Sequence, residues 1–150
     1  MRIVIQRAAG ASVTVNGEIK GEIGLGLMVL VGVENGDTVD DAKWLAQKTI
    51  ALRIFDDENG VMNRSVIDVN GNVLAISQFT LTASTRKGNR PSYIRAAGHE
   101  LATALYDEYC RLIGGYLGHP VERGVFGAHM MVSLVNDGPV TIVIDSRIRE

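Results

Sequence analysis

The run Ile76-Ser77-Gln78-Phe79-Thr80-Leu81 places a hydroxyl, an amide, an aromatic ring and a second hydroxyl at the end of an apolar, strand-like segment. In an extended chain Ser77 and Phe79 face one way, and Gln78 and Thr80 face the other. One chemistry open to this run is nucleophilic attack by the Thr80 hydroxyl, which requires a nearby base. No histidine, lysine or carboxylate lies within the motif. His99 falls in an expected helix, His119 precedes Pro120 and His129 begins an expected strand, so each reads as a packed or surface residue rather than the base of a triad. The second chemistry is electrostatic. Where a strand ends in a turn its N–H groups stop pairing, so those of Phe79 and Thr80 are placed to point at a developing oxyanion. The Thr80 hydroxyl would then orient the attacking oxygen, and no ionisable side chain is needed. Threonine is also simply a good strand residue.

The second notable run is Asn136-Asp137-Gly138-Pro139-Val140-Thr141. It sets a Gly-Pro peptide between two strand-like runs, where strand chemistry would not choose proline. X-Pro bonds are the only common cis peptides. A cis Gly138-Pro139 turn would direct its carbonyl oxygens to one side, where they can accept hydrogen bonds from an amine, and glycine lets that backbone approach a ligand closely. An ordinary turn between strands satisfies the same residues.

The elements that must position these runs are mostly strands. Arg2–Ala8 is rich in β-branched residues, and Ser12–Val15 alternates polar and apolar. Asn16-Gly17 is a strong hairpin signal, with Glu18–Ile23 as the return strand. Leu27–Val33 is a continuous apolar run, as in a strand buried on both faces. Thr38 caps an expected helix with Asp40 and Asp41 in its first turn and Arg53 in its last. Asp56–Gly60 reads as a solvated acidic turn, because its oxygen ligands do not fall at calcium-loop spacing. Val66–Val69 and Asn72–Gln78 suggest a hairpin about Asn70-Gly71. Thr82–Pro91 is a basic loop. Ser92 caps a second expected helix running to about Ile113, where Gly114-Gly115 ends it. Val121–Val125, Met130–Asn136 and Val140–Asp145 are the last strands. The expected class is α+β: a β-rich, barrel-like single domain over 1–150, with mixed or antiparallel sheets and two longer helices.

Composition bounds the function. At 150 residues, with 46% apolar residues, the chain can bury a sizeable core as one domain. A net charge of −2 argues against a protein that coats nucleic acid, while leaving room for a local basic patch. The lone cysteine, Cys110, reads as a small buried apolar residue, and no cluster has metal-ligand spacing, so neither metal nor cofactor is expected. No run has the length of a membrane span or signal peptide, which points to the cytoplasm.

Taken in order, the two runs resemble the signature motifs of the D-aminoacyl-tRNA deacylases. Ile5-Gln6-Arg7, Ala11-Ser12-Val13, Leu52–Phe55, Met62–Ser65 and Lys87–Ser92 also resemble that family, and the similarity is collinear over nearly the whole chain. The bend Ala8-Ala9-Gly10 is smaller and more flexible than the family suggests, which bears on the placement of Arg7. The resemblance implies a homodimer, with the site at its interface. Ser77, Gln78, Phe79 and Thr80 would line one subunit's pocket. Gly138 and Pro139 of the other would reach into it with a cis peptide, hold the substrate α-amino group and exclude L side chains by steric block. Arg7 would brace the Gly-Pro turn.

The reaction implied is hydrolysis of the ester of D-aminoacyl-tRNA to free D-amino acid and tRNA. The neighbouring ribose 2′-hydroxyl would assist, and glycyl-tRNA mischarged on tRNA-Ala could also be a substrate. Arg86, Lys87, Arg90 and Arg95 would meet acceptor-end phosphates. Two other readings remain: a non-catalytic dimeric module that binds aminoacyl ligands, and a small-molecule esterase with Thr80 as nucleophile.

Overall fold

The computed structural model describes every residue from 1 to 150. The chain begins with one long strand, β1 (Arg2–Val15), and turns back into β2 (Glu18–Ile23). Asn16 and Gly17, at φ of 50° and 77°, make this turn with both central residues left-handed. That backbone suits the right-handed twist of a two-residue hairpin. Strand β3 (Gly26–Gly32) then pairs antiparallel with the first half of β1, while β2 holds the second half. Helix α1 (Val39–Ala51) follows, starting from a reciprocal capping arrangement between Thr38 and Asp41. The short pair β4 (Phe55–Asp56) and β5 (Met62–Arg64) leads to β6 (Asn72–Ser77), α2 (His99–Leu117), β7 (Glu122–Arg123) and the long outer strand β8 (Met131–Asp145).

The main sheet runs β2-β1-β3-β6-β7, with β8 on the other edge of β1. Its far edges nearly meet. A Cβ on Gly21 of β2 would lie 2.8 Å from the Arg123 carbonyl oxygen of β7, so only glycine allows this approach. The result is a nearly closed, mixed-sheet barrel with two helices, in line with the α+β, barrel-like expectation.

Strand β3 lies at the centre of the hydrophobic core. Leu27, Val29 and Val31 pack toward α1 and α2 with Leu45, Tyr106, Tyr109 and Ile113. Met28 faces the other way, among Ala8, Val13, Ile23, Leu74 and Ile76. The continuous apolar run was the signature of this double burial. The two helices are tied by a buried hydrogen bond between Thr49 Oγ1 and Tyr109 Oη, at 2.8 Å. Tyr106 Oη donates to the Ala75 carbonyl of β6, also at 2.8 Å.

Several local expectations need correction. Val66–Val69 is not a strand. Ser65 and Asp68 cap each other's backbone N–H groups, and Gly71 N–H bonds to Val66 O, making a closed turn. β6 therefore pairs parallel with β3, from Gly26↔Asn72 to Val31↔Ser77, rather than forming a hairpin. A parallel pair needs a long crossover, which the segment carrying α1 supplies. Ser92 does not cap α2. It exchanges backbone hydrogen bonds with Ser84, and α2 begins later, after Gly98. Gly114 and Gly115 lie inside α2, which ends at the left-handed Gly118. Arg53 lies beyond the end of α1.

Burial pushes the Cys110 thiol up to about 11, and the residue is 4% exposed. At pH 8 a shift of this direction leaves roughly a hundredfold fewer thiolates than a free cysteine would have. Cys110 is therefore expected to resist iodoacetamide in the folded protein and to react only after denaturation. Intact-mass measurement before and after guanidinium treatment checks this.

Candidate functional site

Strand β6 stops at Ser77, and the chain turns at once into a short 3-10 turn over Phe79–Thr82. Within this turn the N–H of Leu81 bonds to Gln78 O at 3.2 Å, and that of Ala83 bonds to Thr80 O at 3.1 Å. The N–H groups of Phe79 and Thr80 belong to the turn's first residues, which have no acceptor within it. Ser77, Gln78 and Phe79 open onto a cavity of about 390 Å³. Its walls are mainly apolar, from Val31, Val33, Ile76, Tyr106 and Phe126.

Thr80 is half-buried, and its hydroxyl oxygen lies within hydrogen-bond reach of the Gln78 side-chain amide. An amide has no basic site able to take a proton from that hydroxyl, whichever way it is oriented. Phe79 projects outward, 58% exposed, with its ring edge-on to Tyr93 at 5.0 Å.

The second run lies on the outermost strand. β8 is continuous from Met131 to Asp145, where two strands were expected. Its register with β1 breaks in two places: Ala9 is bulged out between the Ala8↔Asn136 and Gly10↔Val135 pairs, and next to it Gln6 pairs with Thr141 while Ala8 pairs with Asn136. Arg7 alone therefore stands opposite Asp137, Gly138, Pro139 and Val140, which loop out from the ladder. The Gly138-Pro139 peptide is cis, and Gly138 has a φ of 145°, open to glycine and strained for other residues.

The loop is held from beneath. Arg7 is buried, at 7% exposure, and its Nε donates to Asp137 O at 2.7 Å. Its Nη1 donates to Ile54 O at 2.8 Å, with the Asp56 carboxylate 3.4 Å away. The Asn136 side chain spans the loop, accepting from Val140 N–H at 2.8 Å and donating to Val140 O at 3.2 Å. A Cβ on Gly138 would come within 2.8 Å of Val140 and 3.3 Å of the Arg7 guanidinium. The loop is thus closely packed while Gly138 and Pro139 themselves remain exposed.

The structure does not bring the two runs together within one chain: Gly138, Pro139 and Arg7 are absent from the wall of the cavity that Ser77, Gln78 and Phe79 line. The basic loop is exposed, and Arg86, Lys87 and Arg90 make no ion pair. Arg95 differs from them, since its guanidinium donates to Thr82 O at 3.1 Å and supports the turn that carries the first motif. Sequence reasoning missed the opposite wall of the cavity. Phe126, Gly127 and Ala128 sit in an irregular stretch with no periodic pattern to mark them, and His99 and His129 also line the space. No helix is long and apolar enough to cross a membrane.

Comparison with known proteins places the whole chain, barrel and both runs included, in one family. A family model described as D-Tyr-tRNA(Tyr) deacylase matches residues 4–145. The D-aminoacyl-tRNA deacylase of Opitutus terrae is 59% identical, over the full length of both chains. That of Parabacteroides distasonis is 57% identical, again over the whole of both chains, and that of Chromobacterium violaceum is 57% identical over 98% of each. Among solved structures, the c-Myc DNA Unwinding Element Binding Protein superposes with a TM-score of 0.90 at 38% identity, covering 97% of this chain and 98% of its own. A probable eukaryotic D-amino acid tRNA deacylase shares the fold, with a TM-score of 0.82 at 17% identity, over 95% of this chain and 97% of that one. The chain belongs to the D-aminoacyl-tRNA deacylase family and is a hydrolase.

Proposed function

We propose that this protein hydrolyses the ester of D-aminoacyl-tRNA at a site shared between two copies of the chain, as a cytoplasmic proofreading enzyme. The observation that carries the shared site is the separation of the two motifs. One lines a cavity, and the other loops out of the outermost strand and is absent from that cavity's wall. Strand β8 pairs with β1 on one edge only, and its outward face carries Met131, Val135 and Val143 at 64%, 65% and 63% exposure. A long, open edge strand with an apolar face is a natural pairing surface. A second copy seated there would bring Gly138 and Pro139 to the pocket of its neighbour.

In this arrangement the apolar cavity takes the terminal adenosine, and the ester carbonyl lies at the Phe79–Thr80 turn. The N–H groups of Phe79 and Thr80 stabilise the oxyanion. Thr80 is not in the cavity wall, and its hydroxyl supports positioning through the Gln78 amide it meets, while the ribose 2′-hydroxyl assists attack. Carbonyl oxygens of the partner's Gly-Pro loop accept from the α-amino group. The loop is too closely packed to yield, so an L side chain runs into backbone. Such a clash against the L form discriminates in addition to the contacts made to the preferred substrate. Glycine, having no side chain, passes as well. Arg86, Lys87 and Arg90 contact acceptor-end phosphates, which position the substrate without reading its sequence.

Single-turnover deacylation of D-tyrosyl-tRNA and L-tyrosyl-tRNA, side by side, tests this reading. Loss of the D ester at least about a hundredfold faster than the L ester is expected, a difference of the size that steric exclusion by a rigid site supports. Equal rates would remove the chiral function. Binding without cleavage of either ester would make the protein a ligand-binding module.

A further inference from the structure

We propose that His99 and His129 grip the phosphate that joins the terminal adenosine to the rest of the tRNA, and so contribute to binding of the substrate. This rests on the reading of the cavity as the seat of that adenosine. Three side chains lining the cavity can ionise: Tyr106, His99 and His129. Tyr106 is committed elsewhere. Its hydroxyl donates to Ala75 O, and the Arg123 guanidinium lies over its ring at 4.6 Å. The two histidines are therefore the side chains of this wall able to carry positive charge.

Both are exposed, which places them at the mouth of the cavity rather than in its floor. His99 enters from the first residue of α2, and His129 from the segment just before β8. Neither imidazole has a hydrogen-bond partner in the protein. The one ring contact of His99 is edge-on to Phe126 at 5.4 Å, which steadies its plane. Imidazole keeps at least one N–H donor in every protonation state. A nucleoside with its base on the apolar floor and its ester at the exposed Phe79 turn has its ribose, and with it the 5′-oxygen, toward the mouth. A phosphate attached there is the anionic group that two uncommitted imidazoles would meet.

The test compares two small substrates, 3′-O-D-tyrosyl-adenosine and its 5′-monophosphate. In the wild-type protein the 5′-phosphate is expected to lower KM about tenfold, the size of one or two hydrogen bonds to a charged group. The double variant H99A/H129A is expected to lose that preference, the KM ratio between the two substrates falling to about one, with the thermal midpoint unchanged. His129→Arg, which keeps N–H donors at that position, is expected to retain much of it. A phosphate preference that survives in the double variant overturns the proposal. If the wild type cleaves both esters and only the preference fails to appear, the proposal alone falls. If it cleaves neither, the reading of the site falls and takes this one with it.

Discussion

A D-aminoacyl-tRNA ending in 2′-deoxyadenosine is expected to lose about three orders of magnitude in deacylation rate, within the range for a positioned acid–base group, while Thr80→Ala loses less than about tenfold. The difference follows from what surrounds Thr80. Its oxygen faces the side-chain amide of Gln78, which cannot act as a base. The titratable groups on the cavity wall are His99, His129 and Tyr106, and Thr80 is not part of that wall. An unactivated threonine is a poor nucleophile. By contrast, the Phe79 and Thr80 N–H groups are left free by the 3-10 turn, so in the proposed mechanism they would stabilise the oxyanion and the attacking oxygen would come from elsewhere. The substrate's own 2′-hydroxyl is adjacent to the ester. Single-turnover rates on the two tRNAs with both proteins decide the matter. A dead Thr80→Ala enzyme that still forms no product from the normal substrate, together with an acyl-enzyme trapped in the wild type, would instead assign the nucleophile to Thr80.

Arg7→Ala is expected to lose at least about a hundredfold in activity, because a site displaced by about an ångström loses that much. The guanidinium is buried and holds Asp137 O and Ile54 O together beneath the Gly-Pro loop. Removing it leaves those carbonyls unpaired, which costs about 2–4 kcal/mol of stability. The loss has a distinctive signature if the loop serves the neighbouring subunit. Phe79→Pro removes one oxyanion N–H at a first-turn position where proline fits, and is expected to cost about 10²–10³ in rate. Each variant alone is nearly inactive.

If the chain pairs as proposed, co-expressed Arg7→Ala and Phe79→Pro subunits combine at random. Half of the dimers are then mixed, and each mixed dimer has one intact site, so about a quarter of wild-type activity returns. That site combines the pocket of the Arg7→Ala subunit with the loop of the other. No recovery in a sample shown to contain mixed dimers would mean that both motifs act within one chain, and the shared-site reading would be abandoned.

Local chemistry alone made much of this protein legible. Asn16-Gly17 dictates its hairpin because both residues tolerate a left-handed backbone. The unbroken apolar run of β3 announces burial on both faces before any partner is known. The run from Ser77 to Thr80 shows that hydroxyls and turn amides gather without a base, and Gly138-Pro139 marks a place where the ladder must break. Tertiary structure decided the rest, because each remaining question concerns residues far apart in the chain. β6 reads locally like the arm of a hairpin, yet its parallel partner β3 lies across the α1 crossover. The end of α2 looked fixed by Gly114-Gly115, but the packed helix overrides that weak local preference and continues to Gly118. Arg7 could have been a solvated arginine. Only the register of β1 against β8 shows that it alone stands opposite four looped residues. The separation of the Gly-Pro loop from the cavity is also a property of the folded barrel, since pairing and burial join distant segments through contacts that no local pattern encodes.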